Sequence, residues 1–278
     1  MSAVLSPARS PIRAGMFMLQ GPGGTGKTSS LRSLTESGVE TFVLSLDEDG
    51  LFPIGDIPDP KLHWHVVRPV SRDWKSIIED AKRQSTMDYD LMAKTKDPLK
   101  SIQQTRFVEI LSSLANFKCD RCGKEFGAVD DWNTRRAIAV DHFTEVNQAA
   151  KEWTVGNKLI LHEGEWQAAQ NQVENLVRQL KQVTRCWVIM IAHIDRELDT
   201  VRGGTKIMTH ALGRKLAPKL PPMFGDVVSA EREGKVFKWS TATPDTDLKT
   251  RILPIDANLV PSFKLAVELW KAKGGILE

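Results

Sequence analysis

"LQGPGGTGKTSS" (residues 19–30) decides the reading of this chain. Four glycines and one lysine lie between an apolar run, Met16–Gln20, and a segment with Leu31 and Leu34 at helical spacing. Residues 21–28, GPGGTGKT, satisfy G-x-x-x-x-G-K-[ST], the pattern of a phosphate-binding loop. Polyphosphate oxygens need several backbone N–H groups pointing inward at once, and glycine adopts the required angles most readily. A helix expected over residues 28–37 adds its positive end. The pattern assigns Gly21, Pro22, Gly23, Gly24, Thr25, Gly26, Lys27, Thr28 and Ser29 to an ATP cradle. Lys27 reaches the β and γ phosphates, and the Thr28 hydroxyl goes to Mg²⁺. An ordinary glycine-rich turn would not need a strand before it and a helix after it.

Further along, TFVLSL (41–46), HWHVV (63–67), RAIAV (136–140) and CWVIMIA (186–192) read as strands. Residues 74–83, 102–114 and 165–183 carry helical spacing. Residues 226–231 and 236–240 flank a Glu-Gly turn and predict a hairpin. Residues 194–225, rich in Gly, Pro and Lys/Arg, read as a long loop with one short helix. Strands alternating with helices predict an α/β fold with a mostly parallel sheet sandwiched by helices, ending in a β-hairpin. In such sheets chemistry sits outside the carboxyl ends of the strands. The glycine loop, Asp47–Asp49, Asp141 and His193 all fall there. Asp141, at the end of an apolar strand, is placed to hold Mg²⁺ with Thr28; the bland alternative is a turn residue or helix cap.

The 278 residues carry a net charge of +3, too weak to argue by itself for a nucleic-acid partner. No apolar run has the length of a membrane span. Residues 1–14 read as a disordered Ser/Pro/Arg-rich arm, 15–265 as the main domain, and 266–278 as a C-terminal tail or helix. Within the domain, residues 53–135 contain an insertion with a C-x₂-C knuckle at 119–122. Cys119, Cys122 and Cys186 make no disulfide framework and point to a reducing cytoplasm.

His142, rather than a glutamate, follows Asp141, unlike motor-type ATPases of the AAA+ branch. "LSLDEDGLF" (44–52) resembles the strand end of RecA/RadA-type recombinases, I-D-T-E-G-x-F, where an acidic residue activates water. Asp47, Gly50 and Phe52 match; Asp49 stands where the glutamate would, and Glu48 precedes it. The resemblance implies Glu48 or Asp49 as the base. "VIMIAHIDRE" (188–197) resembles the strand whose polar tip senses the γ-phosphate, which implies that role for His193. "DLKTRIL" (247–253) resembles the K-x-R element of RadA-like and KaiC-like ATPases, which implies that Lys249 and Arg251 reach a neighbouring subunit's nucleotide. The bland alternatives are a satisfied surface histidine and an exposed strand face. With "VDHFTEV", "VGNKLILHEGEWQAAQNQVENLV" and "MFGDVVSAER…WSTAT…DLKTR", the layout over residues 15–265 is similar to the phage-encoded, RecA-like AAA ATPases of the Sak type, which assist single-strand annealing and recombination. That implies partners: single-stranded DNA, further copies in a ring or filament, and a single-strand-binding protein. It also implies the cytoplasm of a bacterial or phage-infected cell.

Between 196 and 219 lie Arg196, Arg202, Lys206, Arg214, Lys215 and Lys219 against Glu197 and Asp199, six cations against two acids. Such a segment can neutralise DNA phosphates without reading bases; the plain alternative is a solvated loop. No aromatic residue lies in 194–219, and Trp153 and Trp166 flank an earlier loop, Trp166 starting an apolar helical stripe. The Cys119/Cys122 knuckle is half of a zinc ribbon. Three readings stand: Zn²⁺ completed by His142 or His162, Zn²⁺ shared between subunits, or a turn with two free thiols. Two rivals to a DNA-stimulated ATPase also stand: a nucleotide-kinase-like phosphotransferase, and a nucleotide-gated adaptor with little catalysis.

Overall fold

A computed structural model describes residues 12–69, 73–94, 105–156, 160–198, 203–213 and 215–278. The arm expected over 1–14 falls almost wholly outside the described residues. Seven strands form one sheet: β1 (Met16–Gln20), β2 (Glu40–Ser45), β3 (Leu62–Val66), β4 (Arg136–Asp141), β5 (Trp187–Ala192), β8 (Asp226–Glu233) and β9 (Val236–Ser240). Two more strands, β6 (Ile194–Leu198) and β7 (Thr205–Thr209), form a separate antiparallel ribbon. The sheet order is β3-β2-β4-β5-β1-β8-β9. All neighbours are parallel except the β8–β9 hairpin. β5 therefore lies between the glycine-loop strand and the Asp141 strand. β3, from within residues 53–135, forms one edge of the sheet.

The central strands are apolar on both faces because helices cover both. Met16 and Met18 of β1 join one core with Phe107, Ile110, Val146, Val173 and Leu176. These come from α4 (Arg106–Ala115), α5 (Phe143–Val155) and α6 (Glu163–Val183). Phe17 and Leu19 point the other way, onto Leu34, Val267 and Trp270, from α1 (Arg32–Glu36) and α7 (Lys264–Ala272). The alternation is the period of two along a strand. The remaining helices, α2 (Trp74–Ser85) and α3 (Tyr89–Lys94), follow β3. No helix among the described residues is long and apolar enough to cross a membrane.

Two sequence expectations are corrected. The segment expected as a helix over residues 28–37 opens as a 3₁₀ turn, Ser29–Leu31, before α1 begins. Its hydroxyls compete for carbonyls: Ser30 Oγ donates to Lys27 O at 2.5 Å and Ser33 Oγ to Ser30 O at 2.5 Å. The long loop expected over residues 194–225 contains the β6–β7 ribbon and two 3₁₀ turns. The ribbon pairs Glu197 with Lys206 across the strands, opposite charges in register. Gly203 and Gly204, both at positive φ, precede its return strand.

Candidate nucleotide site

β1 delivers the chain to the carboxyl end of the sheet, where Gly21 N–H donates to Ala192 O of β5 at 3.2 Å. A Cβ on Gly21 would stand 2.3 Å from Ala230 O, so only glycine fits between β1 and β8 there. Gly24 and Gly26 take φ of +72° and +77°, the left-handed region that glycine enters without penalty. Thr25 Oγ1 donates to Pro22 O at 2.9 Å and closes the loop on itself. Lys27 is buried at its centre, its Nζ donating to Gly21 O at 2.8 Å and Pro22 O at 2.7 Å. Burial lowers the Lys27 pKa to about 8, against the pull of Asp141.

Thr28 Oγ1 donates to Asp141 Oδ2 at 2.6 Å, joining residues from β4 and the loop. Asp141 is buried, and burial raises its pKa while Thr28, His142 and Lys27 hold it down. Hydroxyl and carboxylate oxygens side by side are the hard donors that Mg²⁺ takes. The glycine cradle and this donor pair fit a magnesium–nucleotide. The cavity between them is about 370 Å³ and includes Lys27, Thr28, Asp47, Asp141, His193 and Phe237 in its wall.

The acidic run after β2 divides. Asp47 lines the cavity. Glu48 turns outward to Arg68, Oε1 to Nη2 at 2.8 Å, with 65% of its side chain exposed. Asp49 starts a 3₁₀ turn, and its N–H donates to Asp47 Oδ1 at 3.2 Å. The acid that faces the cavity is thus the first of the three, one the sequence reading did not select. At the tip of β5, His193 Nε2 meets His142 Nε2 at 2.5 Å. Burial, then His142 and Lys27, lower the His193 pKa, which keeps that ring neutral near pH 7. The residue in the motor-type glutamate position is therefore the partner of His193.

Phe237, on β9, also escaped the sequence reading. Its ring would lie 3.3 Å from a Cβ on Gly26, and the Arg232 guanidinium sits 5.5 Å over it. No local pattern marks it; only the return of the β8–β9 hairpin brings it to the cradle.

Lys249 and Arg251 are not at this chain's own cradle. Lys249 is bridged to Val227, at the start of β8, and β8 runs parallel to β1. They therefore lie at the opposite end of the sheet. Lys249 Nζ donates to Phe224 O at 2.7 Å. The Arg251, Ile252 and Leu253 N–H groups converge on Asp226 Oδ1 at 3.0–3.1 Å.

Of the proposed phosphate-neutralising cations, Arg196 is exposed on β6. Lys206 pairs with Asp247 at 2.9 Å and Lys215 with Glu163 at 2.5 Å. Arg202 and Arg214 lie outside the described residues. Acids distant in sequence thus discharge part of the basic segment. Trp166 packs against the core and Trp153 is exposed, 42%. Cys119 and Cys122 stand near neither His142, which meets His193, nor His162, which caps α6. The imidazole beside them is His63.

A family model described as an AAA domain matches residues 13–252. No curated protein matches the sequence. Among solved structures, a prototypical ATPase from the type III secretion system of pathogenic bacteria aligns at a TM-score of 0.40 and 11% identity. That alignment covers 79% of this chain and 53% of the other, so the chain spans about half the secretion ATPase's length. The RadB recombinase aligns at a TM-score of 0.33 and 12% identity, covering 87% of this chain and 93% of that one.

Proposed function

The chain belongs to the AAA domain family matched over residues 13–252, and on that premise we propose that it hydrolyses Mg·ATP and couples the cycle to single-stranded DNA, in the manner of the Sak-type ATPases. The observation that carries the reading is the 2.6 Å hydrogen bond from Thr28 to buried Asp141 beside Lys27. Thr28 and Asp141 would hold Mg²⁺, which would supply positive charge against the phosphate oxygens. Lys27 exchanges its two carbonyl partners for phosphate oxygens, and the backbone amides of the glycine loop take the rest. Asp47, on the cavity wall, orients the attacking water, while Glu48 is turned outward to Arg68. His193 donates to the γ-phosphate, and its Nε2 meets that of His142.

β6 begins at Ile194, directly after His193, and His210 N–H donates back to His193 O at 2.8 Å. A change at His193 is therefore transmitted to the root of the β6–β7 ribbon, which carries exposed Arg196. This link supports DNA binding by the ribbon under nucleotide control. Lys249 and Arg251, at the far end of the sheet, suit a head-to-tail assembly in which they face the next subunit's cradle, in a ring or a filament.

Phosphate release by wild type and Lys27→Ala, with and without single-stranded DNA, tests the proposal. DNA-stimulated release lost in Lys27→Ala supports it. Phosphorylation of an added nucleoside supports the kinase-like reading. Slow turnover unmoved by DNA, with partner binding retained in Lys27→Ala, supports the adaptor.

A further inference from the structure

A second constellation lies at the other end of the sheet from the cradle. His63 is the second residue of β3, and β3 starts opposite Thr41 near the start of β2. A ring nitrogen of His63, the Cys119 sulfur and the Cys122 sulfur all lie within 4.8 Å of one another. His63 and Cys119 are buried at 2% and 0% exposure. We propose that His63, Cys119 and Cys122 bind one zinc ion that pins the knuckle of residues 117–127 to the edge strand β3.

The spacing agrees with that coordination. Ligands at about 2.0 Å for nitrogen and about 2.3 Å for sulfur, set tetrahedrally, stand roughly 3.5 Å apart. His63 Nδ1 and Cys122 Sγ stand 3.6 Å apart. Thiolate and imidazole are the donor set that selects zinc over magnesium or calcium. The knuckle is formed in advance: Cys119 N–H donates to Lys124 O at 2.9 Å and Gly123 N–H to Cys119 O at 2.9 Å, with Gly123 at φ +71°.

The outer partners fix the imidazole. His63 Nε2 faces two acceptors, Pro60 O at 3.0 Å and Glu40 Oε1 at 3.3 Å. It therefore carries the proton, which leaves the Nδ1 lone pair aimed at the sulfurs. A carboxylate behind a ligating histidine is the usual support of a zinc site. Glu40 is itself held by Arg136, Nε to Oε2 at 2.9 Å. Asp59 Oδ1 stands 3.6 Å from His63 Nδ1, and a water would complete the fourth position.

The same knuckle is already stitched to β3. Asp120 N–H donates to Trp64 O at 2.8 Å, and Val66 N–H donates to Asp120 Oδ2 at 2.8 Å. Arg121 lies 4.8 Å over the Trp64 ring. These contacts cover an edge that would otherwise offer unpaired backbone to another chain. The zinc site locks that cover in place and takes no part in nucleotide chemistry.

The test is metal content and cobalt reconstitution of the full-length chain, without nucleotide. The expected result is one zinc per chain, and, with Co²⁺, tetrahedral d–d bands with sulfur-to-cobalt charge transfer. Cys122→Ser should lose the charge-transfer intensity of one thiolate and most of the zinc. Glu40→Gln, which keeps all three ligands, should weaken zinc affinity about 10–100-fold in chelator competition. Zinc far below one equivalent together with no cobalt bands in wild type overturns the proposal. So does full zinc retention in both Cys122→Ser and His63→Gln. Lys27→Ala should keep its metal, which separates failure of this site from failure of the ATPase reading.

Discussion

The Thr28 hydroxyl and the Asp141 carboxylate, 113 residues apart in sequence, meet at 2.6 Å beneath the glycine loop. Asp141→Asn keeps the volume and an acceptor for Thr28 but removes the charge. Stabilisation of phosphate charge by a bound metal is worth several kcal/mol, so hydrolysis should fall by roughly 100-fold or more. Steady-state phosphate release measures it, and an unchanged kcat would remove Asp141 from the machinery.

Lys27 supplies a pH dependence of known sign. Burial lowers its pKa to about 8, so the free protein loses that charge as pH rises through about 8. Bound phosphate favours the charged form, so ATP affinity should be full below that pH and weaken above it. In Lys27→Arg, whose guanidinium does not titrate in this range, affinity should be flat with pH. Calorimetric Kd values at pH 7 and pH 9 make the comparison.

His193 contributes in the opposite direction. Its folded pKa is depressed, mainly by burial. Its contribution to stability is therefore present above its unfolded value, about 6.5, and is lost as pH falls below that. Thermal unfolding of wild type should weaken more steeply than that of His193→Gln between pH 7 and pH 5. Parallel profiles would show that the ring does not titrate as the geometry requires.

Asp47 and Glu48 separate cleanly. Asp47→Asn should lower kcat by about 100-fold, the scale of a lost general base. Glu48→Gln breaks only an exposed pair with Arg68, worth about 1 kcal/mol or less, and should leave kcat within about twofold. The reverse ranking of the two kcat values would return the water-orienting role to Glu48, one of the two residues that the resemblance implied.

Phe237→Ala removes a ring from the cradle wall without touching the donors to phosphate. The expected result is a several-fold rise in KM for ATP with kcat retained, the signature of lost uniform binding. A fall in kcat at unchanged KM would instead mean that the ring holds Gly26 in its reactive position.

Residues 21–28 announced a phosphate cradle because that structure is local: consecutive amides, glycine angles and the helix start lie within a few turns of chain. The strands ending at Asp47–Asp49, Asp141 and His193 were legible for a similar reason, since an apolar run stopping at a polar residue is a local pattern. What the tertiary structure alone decided depends on side chains meeting across long stretches of sequence. Only the fold showed that Asp47 lines the cavity while Glu48 turns to Arg68. His63 came to Cys119 and Cys122 because β3 joined the sheet edge where the knuckle docks. Phe237 reached Gly26 because β9 folded back on β8. The basic segment lost part of its charge to Asp247, Glu163 and Glu174. The backbone of the glycine loop and of the core strands answers to neighbours in sequence, and the sequence displayed it; the β6–β7 ribbon and the direction and pairing of side chains answer to neighbours in space, which folding alone supplies.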